Sequence, residues 1–366
     1  MTAALWTATV AAATPPDRER AVDGLRAIAM LGVVAGHWLV TGLTIGSGGG
    51  LRQASPLTAM PGLTPLTWVL QTLGLFFFVS GYAAARGLSR SPTLCWLAGR
   101  ARRLLPPVAV FLSVWLLILT ALRHTDPRTL HTFAKIALSP LWFVLVLGLL
   151  LPLTPLVVRA VDRFGAAATL VPLAALLTVD SLRYAITPGM PGWPAYLNCV
   201  SAWLVPYTLG VAVARGRLAG PRWGRRLLAA GLISGALLIA AGYPASLVGV
   251  PGDGRSNLNP PSLLTAALSA AQIGIALLLW ARLNRWLRHP GCWAVVAGLN
   301  LTAMTIFLWH QSALLGVTAL AGLSGPPDSA GWIVHRMLWL PAVAVALLVI
   351  VAFLEWSSRQ VRRRSR

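Results

Sequence analysis

The chain has 366 residues, 57% of them hydrophobic and only 11% charged, with a mean hydropathy of +0.72; a water-soluble domain carries about 25% charged residues, so a water-facing surface for a chain of this length is excluded. A formal charge of +21, from thirty Lys+Arg against nine Asp+Glu, raises nucleic acid as a partner, because phosphate binding needs clustered cations. The cations instead sit in short bursts between apolar runs of about 20 residues, the length that crosses a bilayer, which points to no nucleic acid and to charge that orients helices in a membrane.

In chain order, the opening MTAALWTATVAAAT lacks the basic start of a secretory signal, and residues 1–21 are expected to form a loose cytoplasmic tail. Ten apolar stretches follow, at about 23–42, 64–85, 104–122, 139–158, 166–182, 194–214, 226–243, 263–281, 293–320 and 332–356. They are predicted as helices because backbone in lipid has no water to bond, and only helices and closed barrels satisfy it internally; the alternation of barrel strands is absent. Pro106, Pro152, Pro172 and Pro206 predict kinks. The loops 43–63, 184–193, 244–262 and 321–331 are rich in Gly, Pro and Ser and are expected to be compact.

With the N-terminus inside, twenty-three of the thirty Lys+Arg fall on the cytoplasmic side and seven on the outer side, as the positive-inside rule requires. An odd number of spans would scramble that split. The expected fold class is therefore all-α: a polytopic transmembrane bundle of ten helices in the plasma membrane with both termini cytoplasmic, a membrane domain over 22–358 and a basic tail at 359–366. Cys95, Cys199 and Cys292 have neither metal-ligand nor redox spacing, so no metal site is expected.

The first helix carries the strongest chemical signal, in VDGLRAIAMLGVVAGHW (Val22–Trp38). Arg26 and His37 are eleven residues apart, which on an α-helix puts them within about 20° of one stripe and about 16 Å apart along the axis. Arg26 then sits at the cytoplasmic interface and His37 near mid-membrane, where an ionisable side chain is costly and marks function by default. A neutral imidazole there can take a proton near neutral pH, although packing by hydrogen bonds across helices explains it too. Gly32 and Gly36 let a neighbouring helix approach the stripe. Asp23, three positions before Arg26, is spaced to pair with it.

Five segments in order resemble acyltransferase family 3 of membrane proteins. DGLRAIA with its Arg-x10-His spacing resembles the family's opening. LFFFVSGY (Leu75–Tyr82) is similar to its FFxxSG(F/Y) segment, and RARRLLPP (Arg100–Pro107) to its arginine-rich entry to the third helix. SPLWFVLVL (Ser139–Leu147) and TIFLWH (Thr305–His310) resemble its fourth and late helices. The resemblance implies acyl transfer from a donor such as acyl-CoA, used as a substrate beside no permanently bound cofactor, to a hydroxyl of a glycan, lipid or small molecule. It implies Arg26 and His37 as the essential pair, Ser80 and Gly81 lining the site, and Arg100 and Arg103 as a cytoplasmic arginine motif for the donor. Phe307 stands where the family often has tyrosine, and no SGNH-type domain follows the last helix in this sequence, so the likeness is to the stand-alone form.

Guanidinium groups suit the phosphates of CoA through bidentate hydrogen bonds, and a hydroxyl becomes a good nucleophile once a base takes its proton. His37 either does that or carries the acyl group itself. For Arg100, Arg102 and Arg103, setting the topology is an equal reading. His310, on the late helix beside Trp309, is a second intramembrane candidate that either packs or orients an acceptor. Asp180 and Arg183 are expected to form an interfacial ion pair. The competing function, a small-solute permease, predicts a repeat with matching broken helices; no two halves of this sequence match.

Overall fold

The computed structural model describes residues 3–46, 48–185, 193–252, 254–323 and 325–364. Residues 186–192 of one expected outer loop, and the last two of the basic tail, lie outside them. The chain begins with helix α1 (Ala3–Ala12), not with a loose tail. Its Trp6 indole donates to the Ala294 carbonyl at 3.4 Å, and Trp293 donates to the Thr14 hydroxyl at 2.7 Å. Two tryptophans thus fasten a segment whose composition alone carries no fixed partner.

Helix α2 (Arg20–Val40) is the first span, followed by the hairpin β1 (Gly42–Ile45) and β2 (Leu51–Ala54), antiparallel with Gly42 opposite Ala54. A short α3 (Pro56–Ala59) leads into α4 (Thr64–Leu70) and α5 (Leu73–Leu88), one span broken at Gln71–Thr72. Then come α6 (Thr93–Ala121), α7 (Pro127–Leu138), α8 (Leu141–Phe164), α9 (Leu170–Ala185), α10 (Asn198–Ala214) and α11 (Pro221–Ala240). The chain closes with α12 (Leu263–Trp286), α13 (Pro290–Leu301), α14 (Ala303–Ala321) and α15 (Ala330–Arg364). Among the described residues nine stretches are long and apolar enough to cross a membrane. One of them, Pro127–Arg183, runs 57 residues, far beyond the roughly 20 that cross a bilayer. It divides at Gly165, whose φ of 61° no helix continues, into α8 and α9. The expected all-α, multi-pass bundle is what forms.

Helices α2, α5, α10, α12 and α14 are central, while α6, α11 and α15 lie outside them. Leu117 on α6 and Leu338 on α15 are 70% and 72% exposed. Exposed leucine at that density is costly in water, and it is the ordinary surface of a bundle in lipid. The core between α5 and α10 is made by glycine. A Cβ on Gly81 would run into the Tyr207 carbonyl oxygen, and one on Gly210 into that of Phe78, so the two backbones meet as only small residues allow.

The two ends of the bundle gather different groups. At one end, the Arg215 guanidinium meets Asp162 at 2.7 and 2.9 Å, and Arg20 donates to the Leu287 carbonyl at 2.8 Å. At the other, Arg336 donates to the Thr41 carbonyl at 3.0 Å. Asp180, with no exposed surface, is more than an interfacial partner of Arg183 at 3.7 Å. It also accepts from Leu263 N–H at 2.7 Å, Tyr243 at 3.1 Å and Asn198 at 3.2 Å, which joins α9 to the starts of α10 and α12 and to the residue that precedes the 244–262 loop. Between two of the predicted apolar stretches, around His131, the chain forms helix α7. Asp126 caps it by accepting from the Thr129 N–H at 2.9 Å, the bond that holds its carboxyl below the usual carboxylate range.

Candidate active site

The stripe of α2 opens on two cavities. The first, about 350 Å³, is walled by the start of α2, by α5 and by α6, and the lining includes Arg18, Arg26, Arg86, Arg90, Arg100 and Arg103. Arg26, Arg100 and Arg103, far apart in sequence, are brought together here. Arg102 is exposed and outside the cavity. Asp23 does pair with a guanidinium, but mainly with that of Arg18, at 2.8 and 2.9 Å, and only at 4.0 Å with Arg26. That hydrogen bond raises the Arg18 pKa and leaves Arg26 facing the cavity with little of its charge taken up. Arg100 stays in place by donating to the Ala83 carbonyl at 3.3 Å and by lying over the Trp96 ring, 5.6 Å from its centroid. An excess of guanidinium groups around a polar space is an anion site.

The second cavity, about 210 Å³, lies further along α2, where His37 lines it with aliphatic side chains of α2, α3, α4 and α15. Between Arg26 and His37, the residues Ala29, Met30 and Val33 are buried. The expected pair therefore shares one stripe but opens on two separate spaces.

His37 is half-buried, and its Nδ1 meets the Gln311 amide at 3.1 Å. Its ring centroid is 5.1 Å from that of His310. His310 is fully buried and does not line the cavity. Its Nδ1 lies 2.7 Å from the Phe307 carbonyl oxygen, which can only accept, so Nδ1 carries the proton and Nε2 the lone pair. That Nε2 is buried and makes no hydrogen bond among the described residues. The Trp38 indole donates to the His310 carbonyl at 2.9 Å and locks α2 to α14 at this level. Phe307 packs on Phe143 and Phe76, with centroids at 4.8 and 6.1 Å.

Ser80 and Gly81 are placed elsewhere. The Ser80 hydroxyl donates to its own helix at the Phe76 carbonyl, 2.8 Å away, Gly81 serves the α5–α10 crossing, and neither lines the two cavities.

The break before α5 is the feature that reasoning from the sequence missed. It lies against α2, where a Cβ on Gly32 would collide with the Thr72 side chain and one on Gly36 would touch Leu70. Backbone groups freed in a membrane need partners, and side chains supply them. Gln71 Oε1 accepts from Leu73 N–H at 2.9 Å and Gln272 donates to the Gln71 and Trp68 carbonyls at 2.9 and 3.1 Å, while Thr72 fastens the break to α2 by donating to the Ala29 carbonyl at 2.7 Å. The signal in the sequence was three amides, Gln71, Gln272 and Gln311, inside apolar runs, where polar side chains carry function as ionisable ones do.

Residues 19–356, nearly the whole chain, match the family described as an acyltransferase domain. No curated protein and no solved structure matches the chain.

Proposed function

The chain belongs to the acyltransferase family 3 of multi-pass membrane O-acyltransferases, and from that premise we propose that it takes its acyl group from acyl-CoA bound among the arginines and delivers it to a hydroxyl at His37. The observation that carries this is the placement of His37. It is the one ionisable side chain lining the inner cavity among the described residues, and Gln311 holds it by Nδ1, which leaves Nε2 without a protein partner among those residues.

The donor's phosphates meet Arg26, Arg100 and Arg103, so Arg26 binds and does not take part in bond making. The thioester arm has roughly 16 Å to cover to His37, and the side chains of Met30 and Val33, which close the space between the two cavities, move aside to admit it. For His37 to act as a base, Nδ1 carries a proton donated to Gln311 Oε1, which leaves the Nε2 lone pair free. The planar amide offers either end to Nδ1, and the choice follows from hydrogen bonding. The acceptor hydroxyl gives its proton to Nε2 as its oxygen attacks the thioester carbonyl carbon. The carbon–sulfur bond then breaks, His37 returns the proton to the CoA thiolate, and an ester and free CoA leave. Acyl-CoA is consumed as a substrate, and this scheme uses no resident cofactor.

The excess of cations at the arginine end supports placing that end and both termini in the cytoplasm, with the chain in the plasma membrane. Acceptors in reach are a hydroxyl of a carbohydrate, an envelope glycan, a lipid or a secondary metabolite. Mass spectrometry of glycans, lipids and metabolites from cells with and without the gene tests this reading. One compound class is expected to carry an acyl ester only when the gene is present, and identical profiles count against acyl transfer.

A further inference from the structure

The inner cavity has a lopsided chemistry. Apart from His37, no aromatic ring and no charged side chain lines it among the described residues. Its walls are aliphatic, with Val33, Leu57, Leu66, Leu70, Ile333 and Met337 among them. Thr67, one of its few polar side chains, is already committed. Its hydroxyl donates to the Thr64 carbonyl at 2.7 Å and accepts from Leu247 N–H at 3.1 Å.

Of the other polar liners, Thr41, Gln53 and Gln71, Gln71 is the one that carries a buried unmet donor among the described residues. It is 5% exposed and lines the cavity, and its Nε2 has no hydrogen-bond partner among the described residues. The assignment of its amide is fixed by chemistry, because the other end sits 2.9 Å from the Leu73 N–H, which can only donate to an oxygen. A buried donor without an acceptor costs about 1–3 kcal/mol, so such a group in a cavity marks a place where a ligand atom completes the bond.

We propose that this cavity is the acceptor site, that it takes an apolar molecule carrying a hydroxyl, and that Gln71 Nε2 donates a hydrogen bond to the hydroxyl oxygen. The assignment rests on His37 being the base of the reaction. One hydroxyl then satisfies both groups, giving its proton toward His37 and accepting from Gln71. The remaining walls suit hydrocarbon. A free sugar would press its other hydroxyls against leucine, valine and methionine, each left without a partner at a cost like that of any buried polar group. The acyl chain of the donor is the other apolar occupant, and its thioester carbonyl oxygen can also accept from Gln71, so competition by an acyl-CoA decides between the two. Leu66 and Met337, half exposed at 50% and 49%, open the wall sideways toward lipid, which gives an apolar acceptor a path from the bilayer.

The test is photolabelling of the full chain in lipid nanodiscs with a twelve-carbon alcohol that bears a diazirine, mapping the labelled peptides by mass spectrometry. Labelling is expected in 33–41 and 56–73, competed by dodecanol and not by dodecane or methyl glucoside. Gln71→Met is expected to weaken competition by dodecanol about five-fold, the loss of one neutral hydrogen bond. Leu66→Trp, at the half-exposed rim, narrows the mouth of the cavity and should weaken the labelling even if Gln71→Met folds poorly. Competition by dodecane equal to that by dodecanol overturns the role of Gln71. Competition by methyl glucoside, or by decanoyl-CoA in place of dodecanol, overturns the assignment of the cavity, and so does labelling elsewhere. Binding is read without turnover, so site labelling that persists alongside a fully active His37→Ala variant would sink the base and spare the cavity.

Discussion

His37→Ala is expected to lower the rate of ester formation by about 10²–10⁴-fold, the range that a positioned general base contributes. The loss should fall on kcat, because the proposed donor site is the other cavity and His37 is not in its lining. The variant should remain folded and inserted. His37 is half-buried and its side chain makes one hydrogen bond, to Gln311, whose removal costs about 1 kcal/mol. The α2–α14 contact keeps its Trp38 bond to the His310 carbonyl. Initial rates at saturating acyl-CoA, beside size-exclusion profiles and melting curves of both proteins, separate a chemical loss from a folding one. Undiminished transfer by a folded variant rules His37 out as base and as acyl carrier alike.

Arg26→Ala is expected to raise KM for acyl-CoA by about 10- to 100-fold with a much smaller change in kcat, since a hydrogen bond to a charged group contributes about 1.5–3 kcal/mol. Arg100→Ala should act in the same direction. Asp23 remains neutralised by its two bonds to Arg18 when Arg26 is removed, so the local fold has no new unpaired carboxylate to accommodate. Arg102→Ala, exposed and outside the cavity, should leave KM unchanged and serves as the control for the loss of one positive charge. Full KM titrations distinguish the two outcomes. A loss in kcat alone for Arg26→Ala would move that residue from donor binding to the chemistry.

The spans were legible because a lipid-facing helix needs about 20 apolar residues whatever it packs against, and the charge asymmetry gave their alternation. Breaks and partners were not. The prolines expected to kink the spans lie inside helices, as Pro106 does in α6, Pro152 in α8 and Pro206 in α10, while Pro172 falls in the first turn of α9; none of them makes the break. The break at Gln71–Thr72 has no proline. It exists because Gln71 and Gln272, 201 positions apart, take up the freed backbone groups while Thr72 holds the break against α2, and such a tertiary partnership leaves no local pattern. Arg26 and His37 were readable from helical spacing alone, as was the grouping of Arg100 and Arg103 with Arg26 from the resemblance. Gln311 stands directly after His310, but its contact with His37 spans 274 positions and follows from how α14 packs on α2. Gly81 shows the opposite failure. Its motif suggested a site wall, and its place is the α5–α10 crossing, where lack of a side chain is the requirement.

In the proposed reaction the donor enters only from the arginine end of the bundle, whichever way the acceptor arrives. Proteoliposomes in which single cysteines at positions 52 and 222 report orientation test this directly, with acyl-CoA supplied on one side of the membrane at a time. Transfer is expected only when acyl-CoA is on the side from which position 222 is labelled, with one free CoA released per ester formed. Transfer driven by acyl-CoA from the side that labels position 52, or a rate indifferent to side, would contradict a donor site among Arg26, Arg100 and Arg103.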